Sequence, residues 1–352
     1  MRHTHLMQAG RSVLLLAVLA GLSAGCASRA ATERAPAPVI VWPSAPETAR
    51  ISFVDTIAEP ADIGIKQGAL RGFLRFLSGK QPTPVISPHG LAVDTAGRLY
   101  VVDNFLRKVH VYDQRAGKYR LFPEREPVLV SPVGIGIDER SGLVYVTDSA
   151  EAVVWVFAEG GARKVGEIRG GGMQRPTGVA VNPATNELLV VDAINPGILR
   201  YSLPGHEFKG VIGSEGTEAG SFHSPTHIVV TQSGQVLVTD ALNFRVQVLN
   251  AKGGFERAFG SPGDSPGEFA RPKGVAVDSD GNIYVVDALF DNVQVFDRDG
   301  QLLMAFGKPG HAPGEFWLPS GIFIDGRDRI YVSDSYNKRV QVFQYLADGR
   351  LP

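Results

Sequence analysis

Pro272-Lys-Gly-Val-Ala-Val-Asp278, then Ile283-Tyr-Val-Val-Asp287, then Val293-Gln-Val-Phe296: the chain makes three short runs of β-branched and aromatic residues, each bounded by Asp, Gly or Asn. Val, Ile and Tyr suit a pleated, half-buried strand, and the polar clusters between the runs supply turns. The first run is small and apolar. The third alternates apolar with polar, as a strand with one buried face does.

The same phrase occurs six times. It opens at Pro88-His-Gly-Leu-Ala-Val-Asp94, Pro132-Val-Gly-Ile-Gly-Ile-Asp138, Pro176-Thr-Gly-Val-Ala-Val-Asn182, Pro225-Thr-His-Ile-Val-Val, Pro272-Lys-Gly and Pro319-Ser-Gly-Ile-Phe-Ile-Asp325. The leading prolines stand 44, 44, 49, 47 and 47 residues apart, the length of a four-stranded propeller blade. The small first runs suit the crowding beside a central axis. The reading is an all-β chain, a six-bladed β-propeller of four-stranded blades.

Connectors repeat as well, at 213–225, 260–272 and 307–319, and Gly267-Glu-Phe269 and Gly314-Glu-Phe316 stand just before the next proline. Glycine permits the tight backbone, and the Phe is expected to plug the space between neighbouring blades. These units, over residues 86–346, resemble the NHL repeat family. The resemblance implies a closed propeller and, with the leader described below, a bacterial lipoprotein member. Five units have a candidate outer strand, but the sixth has only 344–352 left. Ile51-Ser-Phe-Val-Asp-Thr-Ile57 is therefore expected to supply its outermost strand, which would remove the open edge. Residues 60–86 interrupt the pattern. Leu70, Phe73, Leu74 and Leu77 fall at helical spacing, so a short amphipathic helix is expected there, packed on the rim or over one mouth, or else contacting a membrane or partner.

The domain layout follows: a leader at 1–26, a Pro/Ala-rich tether at 27–49, the propeller at 50–346 with its insert, and a tail at 347–352. Arg2 and Arg11 flank the start of an apolar run, 12–22, shorter than the ~20 residues a spanning helix needs. Small residues then lead to Cys26, the chain's sole cysteine. The pattern resembles a bacterial lipobox, although Ser23 stands where Leu is usual, and it implies signal-peptide removal, acylation of Cys26 and anchoring to a bilayer. By resemblance to Gram-negative sorting, Ala27 favours the outer membrane, facing the periplasm or the cell surface. With one cysteine no intramolecular disulfide can form, so stability rests on the core. The leader takes away two of the 35 basic residues and none of the 36 acidic ones. The mature chain is slightly acidic, which argues against nucleic-acid binding.

Asp103, Asp148, Asp192, Asp240, Asp287 and Asp334 hold one position in every unit. A repeated Asp at a strand end is expected to accept backbone N–H groups of the next turn rather than to ring a metal. Arg245 and Arg339 are placed to pair with theirs. The departures are His89 within Pro-His-Gly and His227 in place of Gly, in units that face each other across the axis. Imidazoles there would suit Zn²⁺ or acid–base work. Related blades occur in the peptidyl-hydroxyglycine amidating lyases, which hold zinc with histidines from separate blades. Only His89 and His227 stand at the matching position here, and none of that family's catalytic residues carries over. No G-x-S-x-G elbow, P-loop or paired-Cys motif is present. No catalytic residue and no cofactor is expected, and zinc or calcium are the ions such a mouth would suit. The leading reading is a binding platform in the cell envelope for a protein, peptide or glycan. The loops after each Asp would carry recognition through Phe105, Arg107, Asn195, Leu242, Phe244, Phe290 and Tyr336. A metal-dependent lyase or hydrolase in the channel is the second reading, and a purely structural envelope protein the third.

Overall fold

A computed structural model describes residues 40–65, 83–125 and 128–349. Among these, the strands form six antiparallel sheets, five of four strands and one of five. The chain is a six-bladed β-propeller. Blade one holds Pro88–Val93, Leu99–Asp103, Lys108–Asp113 and Lys118–Phe122, and the next four blades repeat that order from the axis outward. The innermost strands touch in sequence around the axis, and that of blade six lies against that of blade one.

The apolar runs are read from both sides. Tyr100 and Val102 face the wedge between blades one and two, whereas Leu99 and Val101 face the wedge between six and one. With two buried faces a strand becomes an unbroken apolar run. The core is accordingly divided into six wedges, one between each neighbouring pair of blades. The glycine that begins most inner strands is required by the approach of the next blade's backbone. A Cβ on Gly134 would lie 2.2 Å from the Thr177 carbonyl oxygen, and one on Gly321 would lie 2.0 Å from that of His89.

Blade six closes with a strand from the N-terminal side of the propeller. Ile51–Ile57 pairs antiparallel with Arg339–Tyr345, Ile51 opposite Tyr345 and Ile57 opposite Val340, with a bulge at Phe53/Asp55. The tether reading needs one correction. Residues 40–49 lie against the propeller, and Val41–Trp42 adds a fifth strand outside Ile51–Ile57. The reason is Trp42, whose ring sits 5.7 Å from that of Phe306 and 5.8 Å from that of Phe343. One large apolar surface in a Pro/Ala-rich segment is enough to dock it. The expected helix around Leu70–Leu77 and the leader with Cys26 lie outside the described residues.

Phe222, Phe269 and Phe316 are fully buried and fill the wedges between blades three and four, four and five, and five and six. Each rests on a glycine at positive φ, Gly213, Gly260 or Gly307, whose missing Cβ leaves the space for the ring. In the same three blades a buried glutamine locks the connector. Gln247, Gln294 and Gln341 each accept a hydrogen bond from the connector glycine N–H at 2.8–2.9 Å and donate to a connector carbonyl at 2.6–2.8 Å.

Candidate functional site

The proline that opens each inner strand lies opposite the recurrent Asp, as in Pro88 with Asp103, Pro176 with Asp192 and Pro272 with Asp287. The loop after each Asp therefore emerges beside the start of the inner strand, and all six loops gather on one face around the axis. The six carboxylates are fully buried, and such groups persist only when hydrogen-bonded. Asp192 accepts Ile194 and Asn195 N–H at 2.9 Å, which closes its turn. It also accepts Gln174 and Arg175 N–H at 2.6 and 2.9 Å. Asp103, Asp148 and Asp287 likewise hold the incoming connector, 16–18 residues upstream. Asp240 and Asp334 pair with Arg245 and Arg339 at 2.9 and 2.7 Å. The carboxylates are thus spent on the scaffold, as turn acceptors and as clasps on the preceding connector.

Within the ring of loops opens a cavity of about 470 Å³. Its wall carries the residue between Pro and Gly of each blade where that residue reaches the mouth: His89, Val133, Thr177, Thr226, Lys273 and Ser320. Several hydroxyls on the wall already tie blades together. Ser320 and Ser335 donate to the Pro88 carbonyl at 3.2 and 2.7 Å, and Asn104 donates to that of Pro132 at 3.0 Å. The wall is consequently rigid.

The two histidines singled out by the repeat line this cavity together. His89 Nδ1–H donates to the Ser87 carbonyl at 3.2 Å, leaving Nε2 as an acceptor. Burial, and then the positive charge of Lys273, hold its pKa below the ordinary histidine value against the opposing pull of that carbonyl. His227 Nδ1 accepts Val275 N–H at 3.3 Å, so Nε2 carries the proton. Its ring borders both this cavity and a second one, of about 260 Å³, along the inner strands. Burial lowers its pKa to about 4, so it is neutral at neutral pH. Among the described residues no group of three or more His, Cys, Asp and Glu converges on a point that could hold a metal ion. The two imidazoles are neighbours of a shared space without a third ligand.

The loop residues divide. Phe105 is 71% exposed and Tyr336 58%, and Leu242, Arg107 and Asn195 are also exposed. Phe244 and Phe290 are half-buried, with Phe244 turned onto the wedge between blades four and five. In blades three and five the exposed apolar side chains are instead Ile194 and Leu289. Trp317, in the connector before blade six, packs tilted against Tyr336 with ring centroids 5.4 Å apart and edge-on against His311 at 5.2 Å. Nothing in the repeat marks it, because it stands where blades four and five have His223 and Ala270. Lys273 escaped notice for a similar reason, since its position changes freely from blade to blade.

A family model described as a 6-bladed beta-propeller matches residues 211–291 and 278–350, the last three blades, where the Phe, Gly and Gln lock is regular. Among curated proteins none matches this sequence. Solved structures do. A protein of unknown function from Bacteroides thetaiotaomicron superposes with a TM-score of 0.61 at 18% identity, covering 84% of this chain and 75% of that one. An auxiliary nutrient binding protein from the same organism gives 0.60 at 13% identity, over 74% of this chain and 70% of that one. A streptogramin B lyase gives 0.56 at 12% identity, over 75% and 95%. At these identities the likeness is one of fold.

Proposed function

We propose that this chain is a binding module of the cell envelope, an NHL-type propeller held to the membrane through an acylated Cys26 that presents the face around its axial cavity to a protein, peptide or glycan. The observation that carries this reading is the distribution of exposed apolar surface. Of the seven large apolar side chains more than half exposed among the described residues, five belong to loops that follow the recurrent Asp: Phe105, Ile194, Leu242, Leu289 and Tyr336. Side chains scattered at random need no explanation, but a ring of them around a cavity marks a contact surface. Rigid strands with functional loops at one end are a common way to build a recognition site. The fold also serves a protein described as an auxiliary nutrient binding protein. The anchor is supported by the position of the chain's sole cysteine. No helix among the described residues is long and apolar enough to cross a membrane.

The test is site-directed photocrosslinking of the full chain, expressed with its leader in a Gram-negative host. A crosslinking side chain in place of Phe105 or Tyr336 should trap the same partner, and one in place of Leu303, exposed on the outer strand of blade five, should not. Equal trapping from all three positions would remove the basis for a recognition face. In parallel, Cys26→Ala should move the protein from the membrane fraction to the soluble one. A variant that stays with the membrane would show that the anchor lies elsewhere.

A further inference from the structure

The side chains that line the axial cavity carry charge of one sign, in front of the buried recurrent carboxylates. Among the described residues, the 21 that line it include Lys273 and Arg271 and not one Asp or Glu, in a chain with 36 acidic and 35 basic residues overall. The larger cavity between blades six and one, about 640 Å³, has the ordinary mixture: Asp55, Asp94, Glu139 and Asp325 with Arg115, Arg327 and Arg329.

Lys273 is half-buried on the innermost strand of blade five. Among the described residues neither its ammonium nor the Arg271 guanidinium forms an ion pair or a side-chain hydrogen bond, although arginines elsewhere on the propeller are paired, as Arg245 and Arg339 are. Arg271 stands two residues away, exposed, and its charge adds to the cost of charging Lys273. Lys273 also presses on His89 across the mouth, and burial together with Arg271 lowers the Lys273 pKa from its ordinary value. A half-buried charge without a partner is costly, and it is normally paired within the fold or by what binds there. Among the described residues the fold offers it no partner from within. The neutral donor His227 Nε2–H lies on the same wall, and Val133, Ala288, Leu318 and Pro319 add apolar surface. A wall of this kind takes a molecule with an anionic head and a neutral body, and the volume is that of a small-ligand pocket.

We infer that the axial mouth is a binding site for a small organic anion, its carboxylate or phosphate head held between Lys273 and Arg271 and its body against the apolar wall. This rests on the binding-face reading above and names the chemistry of the ligand at its centre.

The test is calorimetric titration of the full-length protein in detergent, at about 0.15 M chloride so that loose surface charge is screened. The probes are succinate and inorganic phosphate, each against wild type, Lys273→Gln and Arg271→Gln. Binding of either probe to wild type, weakened roughly tenfold or more in Lys273→Gln and restored by Lys273→Arg, supports the site. Which probe binds identifies the head group. Because the Lys273 ammonium holds no partner among the described residues, Lys273→Gln should melt at or above the wild-type temperature. The winning anion should raise the wild-type melting temperature and leave that of Lys273→Gln unmoved. Binding of neither probe, or equal binding by wild type and Lys273→Gln, overturns the inference. Either result is independent of the Phe105 and Tyr336 crosslinks, so the rim reading and the anion site can fail separately.

Discussion

At the scale of single residues, His227 shows what a departure from the repeat does. Where the other five blades begin their inner strand with Gly, blade four holds an imidazole that takes Val275 N–H and stays neutral. Its folded pKa lies near 4, below the ordinary 6.5. Between those values the unfolded chain takes up a proton that the folded one refuses, so stability is full above about pH 6.5 and falls as the pH drops toward 4. The loss amounts to about 3 kcal/mol at the end of that window. Urea unfolding at pH 7 and at pH 4.5 should show this fall in wild type, and His227→Gly, which restores the repeat's own residue, should reduce it. Equal acid sensitivity in both would place the effect in other groups. His227 was legible in the sequence because the other five copies of the repeat have Gly at its position. Lys273 was not, since His, Val, Thr, Thr, Lys and Ser occupy its position, and only ring closure brings the six side chains around one space. The recurrent Asp was legible as a turn acceptor. Its hold on a connector 16–18 residues upstream is a contact between positions that share no periodicity.

At the scale of elements, the wedges make each connector Phe a structural pin. Phe269→Ala should cost about 3–5 kcal/mol, the range for emptying a buried aromatic site. Phe255→Ala, at a position 41% exposed on the outer strand of the neighbouring blade, should fall within about 0.5 kcal/mol of wild type. Denaturant midpoints compared at constant slope would check both. If the two substitutions cost the same, the wedge account of the core is wrong. The Gly-Glu-Phe connectors announced this role in the sequence because they repeat. The docking of residues 40–49 could not be read, because two residues of strand have no period and Pro-rich composition suggests a tether. Blades one to three lack the Phe and Gln lock of blades four to six, and the family model matches only the latter. The ring is held by two different sets of connectors.

At the scale of the whole molecule, both faces of blade six depend on a strand from the other end of the chain. Ile51 belongs to the wedge with blade five and Ile57 to the wedge with blade one. Removing residues 40–57 should therefore loosen two wedges at once and bare Arg339–Tyr345 as an edge ready to pair with another copy. Light scattering should report soluble oligomers or aggregate, and a monodisperse monomer with an unchanged melting temperature would refute the closure. The six-fold architecture and this closure were both legible, the first from spacing and the second from a missing strand. The same feature also sets a timetable for birth. Ile51–Ile57 leaves the ribosome among the first segments of the domain, and Arg339–Tyr345 among the last. For nearly the whole of translation the early strand must wait without its mate, while five blades assemble as neighbours beside it. Until Arg339–Tyr345 is made, the unpaired apolar strand is exposed to aggregation.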